Sequence, residues 1–307
     1  MYIKLFSLLT IATLAVLPAA RAANSASDKG SNYTNPWGPE NPQFNPKTGF
    51  ASWVFDHWNP PTQNPPKPPF FIDPARKAWG LNVPANIDGT NNFNTQGYDA
   101  AWISFTGDGY LHAGQSFTTT VFFTVPGPYS GPYGTTTSPT EGIDFMANSS
   151  TLASQYDSFG HQVVGLYLGP SPSGPVFTLG VHSSVSDEEP AVYKQVLPNV
   201  ITPSNTAANP VKIIFTYTQL PRGQWLLLAV AIGNGKVSST LLSSSQYGPT
   251  WNTAPSEGID AVRYFTSQGG ATPGGPLEWT DMSVSPQLPS SVSSILSAIP
   301  FPTPKAP

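Results

Sequence analysis

The 307-residue chain contains no cysteine, which rules out disulfides and thiolate metal centres as its means of support. Charge is scarce too: only 10% of residues are Asp, Glu, Lys or Arg, and the formal net charge is −4. Helical surfaces draw on Lys, Glu and Arg, so their scarcity argues against a helical fold. A mildly acidic chain without basic clusters is a poor partner for nucleic acid or anionic lipid. Beyond the N-terminus no apolar run reaches the roughly 18 residues that suggest a membrane span.

What the chain does have begins with Lys4, the apolar run Leu5 to Leu17 and the small-residue site Ala20-Arg21-Ala22. These are the parts of a secretory signal. Residues 1–22 are therefore expected to be removed, leaving an extracellular, cell-surface or periplasmic protein. A secreted chain without cysteine fits a bacterial exporter better than a eukaryotic one. Loss of Lys4 and Arg21 takes the formal charge from −4 to −6.

The mature chain is rich in β-branched and aromatic residues, with 35 prolines and 27 glycines over the full length as punctuation. That composition suits strands and turns. Residues 23–75 read as an irregular Pro- and aromatic-rich leader, because the proline run from Asn59 to Pro69 cannot donate to a sheet ladder. Trp37, Trp53, Phe55, Trp58, Phe70 and Phe71 argue that parts of it pack on the domain that follows. That domain is expected over 76–286, with a Ser/Pro-rich tail over 287–307.

Strand signals recur through 76–286. They include Trp102 to Phe105, Ser116 to Val125, Gln162 to Leu168, Val176 to His182, Gly258 to Phe265 and Leu277 to Ser285. Val211 to Gln219 and Gln224 to Ile232 flank Leu220-Pro221-Arg222-Gly223, the clearest hairpin. Gly233-Asn234-Gly235 predicts a further tight turn into Lys236 to Leu242. Leu226 to Ile232 is apolar throughout, and its length and flanking turns favour a strand covered on both faces over a buried helix. Serial short strands of this kind predict an all-β, two-sheet antiparallel jelly-roll sandwich.

Five blocks carry a resemblance to a known family. They are Ala78-Trp79-Gly80-Leu81, Trp102-Ile103-Ser104-Phe105, Leu111 to Phe117, Gly223-Gln224-Trp225-Leu226, and the closing strand Leu277 to Ser285. In pattern and order they resemble the concanavalin A-like jelly rolls of bacterial secreted proteins, lectins and glucanases among them. The resemblance implies an extracellular glycan-facing domain. It does not choose between binding and catalysis, since one fold serves both.

Retaining glucanases of this family carry E-x-D-x-x-E on one strand, and that pattern is absent. G-x-S-x-G is absent as well, and His57, His112, His161 and His182 show no metal-ligand spacing. The nearest approach to a carboxylate pair is an echo, Pro-Thr-Glu141-Gly-Ile143-Asp144 and Pro-Ser-Glu257-Gly-Ile259-Asp260. Glu and Asp three apart point to opposite faces of a strand, so a pair would require Glu141 and Glu257 to meet across two strands. The plainer expectation is that each copy starts a strand, equivalently, with its Ile in the core. Asp187-Glu188-Glu189 could hold a structural Ca²⁺ with backbone carbonyls, or be a solvated acidic loop.

Binding chemistry is better supplied. Sugars are held by an aromatic platform with amide, hydroxyl or carboxylate partners. Asn94, Tyr98 and Asp99, then Tyr133, then Tyr247, Trp251 and Asn252, offer that set on expected loops. Capping of the core is the alternative for each aromatic. The sequence thus points to a non-catalytic carbohydrate-binding or cell-surface module. The competing readings are a polysaccharide hydrolase or lyase and a structural envelope or matrix protein. No cofactor is implied apart from that Ca²⁺, the expected partner is a glycan surface, and the oligomeric state stays open.

Overall fold

The computed structural model describes residues 25–58, 68–82, 97–105, 111, 115–123, 140–146, 162–169, 176–181, 192–196, 209–219, 225–243, 259–268 and 276–285. They form two antiparallel sheets, a jelly-roll sandwich. The first holds β1 (Ala26–Lys29), β3 (Phe70–Asp73), β4 (Ala78–Leu81), β6 (Ser116–Phe122), β11 (Val211–Gln219), β12 (Trp225–Gly233), β13 (Lys236–Ser243) and β15 (Leu277–Ser285). Its order is β13-β12-β11-β6-β15-β4-β3, with β1 also on β15. The second holds β2 (Val54–Trp58), β5 (Gly97–Ser104), β7 (Thr140–Met146), β8 (Gln162–Gly169), β9 (Val176–Val181), β10 (Val192–Val196) and β14 (Ala261–Gln268). Its order is β10-β9-β8-β7-β14-β5-β2.

The expected hairpin is β11–β12, and β12 is covered on both faces. Ala229 and Ala231 join the main core, while Leu228 and Val230 pack with Ile214 on the other side. The next turn reverses in two residues, Asn234 and Gly235, both at positive φ (50° and 64°), as a right-twisted hairpin requires.

The leader is less separate than its prolines suggested. It contributes β1, β2 and β3, each paired to a strand from the region that follows. The expected boundary at 75/76 falls inside the β3–β4 hairpin. β15 shows why the leader is needed: Leu277 to Trp279 pair with β4, and beyond a bulge Asp281 to Val284 pair with β1 along that same edge. The leader also protects an edge. Asn35 accepts from Ile72 N–H and donates to Ile72 C=O, both at 2.7 Å, closing part of the outer side of β3.

The core between the sheets is aromatic. Trp37 meets Trp53 edge-on at 5.4 Å, Trp53 meets Trp79 at 5.5 Å, and Trp79 meets Trp279 at 6.0 Å. Two of these four indoles come from the leader. Residues 1–22, expected as a signal, and 287–307, expected as a tail, lie outside the described residues.

Candidate functional site

The four strands β7-β14-β5-β2 carry the unusual polar residues, and strand alternation sorts them onto two faces. Ile143, Phe145, Val262, Tyr264, Ala101 and Ile103 face the core. The residues between them face outward: Asp144 and Met146 on β7, Ala261, Arg263 and Phe265 on β14, Ala100 and Trp102 on β5, Asp56 on β2.

On the outer face Arg263 stands opposite Asp144 on one side and Trp102 on the other. Its Nε donates to Asp144 Oδ2 at 3.0 Å and its terminal Nη2 donates to the same oxygen. Both side chains are completely buried. The guanidinium also lies 5.3 Å from the centre of the Phe265 ring. Trp102, Met146 and Ala261 form a small apolar cluster beside the pair. One row along, Asp56 stands opposite Ala100. Burial pushes its carboxyl up to about 6 against the opposing pull of Arg263. Asp56 Oδ2 is buried and has no hydrogen-bond partner.

The core-facing side carries a polar row in register, His57–Asp99–Thr266, one residue from each of three neighbouring strands, and Glu141 is the next residue in that register. Asp99 and Thr266 are buried, and neither Asp99 Oδ1 nor Thr266 Oγ1 has a hydrogen-bond partner. Burial, and then the charge of Asp56, push the Asp99 carboxyl well up. His57 remains exposed, its ring centre 6.3 Å from that of Phe70.

Asp99 therefore corrects an expectation. It was placed on a sugar-binding loop, yet β5 has already begun at Gly97, and alternation with Ala101 and Ile103 turns it inward. Tyr98 is likewise a strand residue, opposite Trp58 and Ser267. Asn94, Tyr133, Tyr247, Trp251, Asn252, Asp187, Glu188, Glu189 and Glu257 lie outside the described residues. Among the described residues no three His, Asp or Glu side chains gather as metal ligands.

The echo is partly as expected. Ile143 and Ile259 are both buried in the core. Their settings are not equivalent: Ile143 lies inside β7, opposite Tyr264 and Leu166, whereas Ile259 precedes β14 and forms a lone bridge to Leu111. Asp144 binds Arg263 through its side chain, while the Asp260 backbone joins Met146 and Phe105. Glu141 is opposite Thr266, and Ala261 is opposite Met146. Five residues of strand, about 17 Å, separate those levels.

Asp56 and Arg263 were not singled out from sequence, and Asp144, Trp102 and Phe265 entered only through the echo and the strand signals, not as partners in one cluster. A signal existed: one acid in Ile143-Asp144-Phe145 and one base in Val262-Arg263-Tyr264, each alone in an apolar strand. Opposite charges isolated in this way are kept inside a fold when they meet.

No protein-family model matches the chain, and no curated protein matches it. Solved structures do resemble it. Lectin I-B4 from Griffonia simplicifolia is 12% identical with a TM-score of 0.38, over 84% of this chain and 98% of that one. Endo-1,3-β-glucanase from Streptomyces sioyaensis is 10% identical with a TM-score of 0.44, over 79% and 98%. The exoplasmic/lumenal domain of VIP36, in a form with Ca²⁺ and Man3GlcNAc, is 7% identical with a TM-score of 0.43, over 77% and 84%. These likenesses concern the course of the strands and carry neither ligand nor catalysis to this chain.

Proposed function

We propose that the protein is an exported, non-catalytic module that binds carbohydrate at a cell surface or in the extracellular space. The observation that carries this reading is the aromatic and amide set Tyr133, Tyr247, Trp251 and Asn252 on a jelly-roll sandwich. Aromatic rings suit the C–H faces of a sugar, and amide groups suit its hydroxyls. The Asp144–Arg263 pair, Trp102, Phe265 and Asp56 are buried and brace the outer face of β7-β14-β5-β2 rather than meeting a ligand. Asp187 to Glu189 are the residues to hold a structural Ca²⁺. Export rests on Lys4, Leu5 to Leu17 and Ala20-Arg21-Ala22.

A hydrolase is less well supplied. Asp56 and Asp144 sit on β2 and β7, three strand spacings apart, or about 14 Å between backbones. Glycosidase carboxyl groups lie about 5–9.5 Å apart. The mature protein and Trp251→Ala should be screened against a glycan array and a panel of polysaccharide substrates. Retention of a glycan without turnover, weakened about tenfold by Trp251→Ala, is the expected result. Turnover of any polysaccharide would make it an enzyme, and failure to bind any glycan would leave the structural envelope role.

A further inference from the structure

On the outer face of the first sheet, register lines up Phe71, Gly80, Glu278 and Phe122 across β3, β4, β15 and β6. The Phe71 ring fills the space a side chain at Gly80 would need, since a Cβ there would come within 2.2 Å of it. Glu278 is thus a carboxyl between two aromatic residues, 2% exposed. The β3–β4 turn folds over it. Asp73 Oδ1 accepts from the backbone N–H of Ala75 at 2.7 Å and of Arg76 at 3.2 Å, which fixes that turn. Arg76 then reaches back, donates from Nη1 to Glu278 Oε2, and stands 3.8 Å from Asp73 Oδ2. Its guanidinium lies 5.3 Å from the centre of the Phe122 ring.

We propose that Asp73, Arg76 and Glu278 form an acid-closed latch that holds the β3–β4 hairpin onto β15. Two carboxyl groups and one guanidinium share the cluster. With one proton on the pair the cluster is neutral, and Glu278 can donate to Asp73. Without that proton a net negative charge is left in a site from which Glu278 cannot reach water. Among the described residues the other charges on these elements are the exposed Lys77 in the turn and Asp281 beyond the bulge in β15. β4 and β6 carry none.

The titration of the two acids agrees with this division. The carboxyl of Glu278 is pushed up to about 7, by burial first, with Arg76 opposing and Asp73 adding to the rise. Burial works to raise Asp73 too, but the backbone amides of Arg76 and Ala75, then Glu278 and Arg76, outweigh it and hold Asp73 below its ordinary value. A carboxyl whose folded pKa is raised stabilises fully below its unfolded pKa. That stabilisation is lost as pH rises through the folded value. For Glu278 the window runs from about 4.5 to about 7. The latch is shut in mild acid and slackens toward pH 8. An exported protein meets such a range.

Hydrogen exchange of the full mature chain, corrected for intrinsic rates, tests this in the hairpin amides of residues 70–81. From pH 5 to pH 8 their protection should fall about tenfold or more, and Glu278→Gln should remove most of that fall. Asp73→Asn should move the midpoint down, because the anion that favours protonated Glu278 is gone. Arg76→Met should move it up. These opposite displacements would not come from a cluster that merely fills space. Protection independent of pH in the natural chain overturns the proposal. So does an unchanged fall in Glu278→Gln, or midpoints that move together in Asp73→Asn and Arg76→Met should Glu278→Gln fail to fold.

Discussion

The rings of Tyr264 and Trp279 stack with centroids 4.1 Å apart and planes 3° from parallel. One belongs to each sheet, so the stack is a direct tie across the sandwich. A hydrogen bond reinforces it. The Tyr264 hydroxyl donates to Thr119 Oγ1 at 2.9 Å, and Thr119 donates on to the Asp281 carbonyl at 2.8 Å. Trp279→Ala should cost about 3–5 kcal/mol of stability, as large aromatic deletions in a core do. Tyr264→Phe keeps the ring and should cost about 1 kcal/mol. Urea denaturation of both variants checks the ranking. A Tyr264→Phe loss equal to that of Trp279→Ala would mean the hydroxyl chain, not the stack, ties the sheets.

The buried Asp144–Arg263 pair makes a second prediction. Removing one partner leaves a charge with no route to water, so Asp144→Asn or Arg263→Met alone should cost about 3–5 kcal/mol. Replacing both, as Asp144→Leu with Arg263→Met, should recover much of that loss, since no stranded charge remains. The same urea series decides it. Additive losses in the double variant would show that the two side chains act independently.

The strand plan was legible because its signals are local. Turns such as Asn234-Gly235 and the alternation in Leu277 to Ser285 depend on neighbours in the chain alone. Leader strands were missed for the opposite reason. Ala26 to Lys29 and Phe70 to Asp73 are four residues each, too short for a period to declare itself, and both gain their structure from distant partners, β15 and β4. The strand expected from Trp102 begins at Gly97, five residues earlier, enough to turn Asp99 from a loop ligand into a buried acid. The outer-face pair depends on β7 lying beside β14, which no local pattern announces.

The leader gives a third prediction. Trp37 and Trp53 are 2% and 3% exposed within the central aromatic cluster, and β1 and β2 complete one sheet each. A chain starting at residue 76 should therefore fail to fold cooperatively, whereas removal of residues 1–22 should leave stability unaltered. Near-UV circular dichroism and thermal melting of the two truncations separate the outcomes. A cooperative melt from the shorter chain would restore the leader to the status of an appended strap.

Asp56 supplies a pH prediction apart from the latch. Its folded pKa, about 6, lies above the ordinary 3.8. Its contribution is thus whole below 3.8 and fades as pH rises through 6. Asp56→Asn should lessen the fall in stability between about pH 4 and 6 while leaving the share that belongs to Glu278, which runs from about 4.5 to about 7. Urea midpoints at half-unit pH steps, with Glu278→Gln alongside, separate the two overlapping windows. An unaltered profile between pH 4 and 6 would place the proton elsewhere, with Asp99 the next candidate.

The echo closes on its isoleucines. Ile143 and Ile259 are both buried, and burial of such a side chain contributes about 1.5–3 kcal/mol. Truncation adds the cavity left behind, so Ile143→Ala and Ile259→Ala should each cost about 2–5 kcal/mol. Ile143 should stand at the upper end, because β8 and β14 hold its backbone on both sides and the gap cannot close. Ile259, anchored by a single bridge to Leu111, can settle into part of the space. Glu141→Gln and Glu257→Gln should change stability little, since each keeps its shape and neither glutamate serves the core in this reading. Calorimetric melts, with and without added Ca²⁺, give the comparison directly. Mild isoleucine variants beside glutamate variants that lose glycan binding or a calcium-dependent rise in Tm would reverse the assignment, and the echo would then be the binding site rather than a strand start.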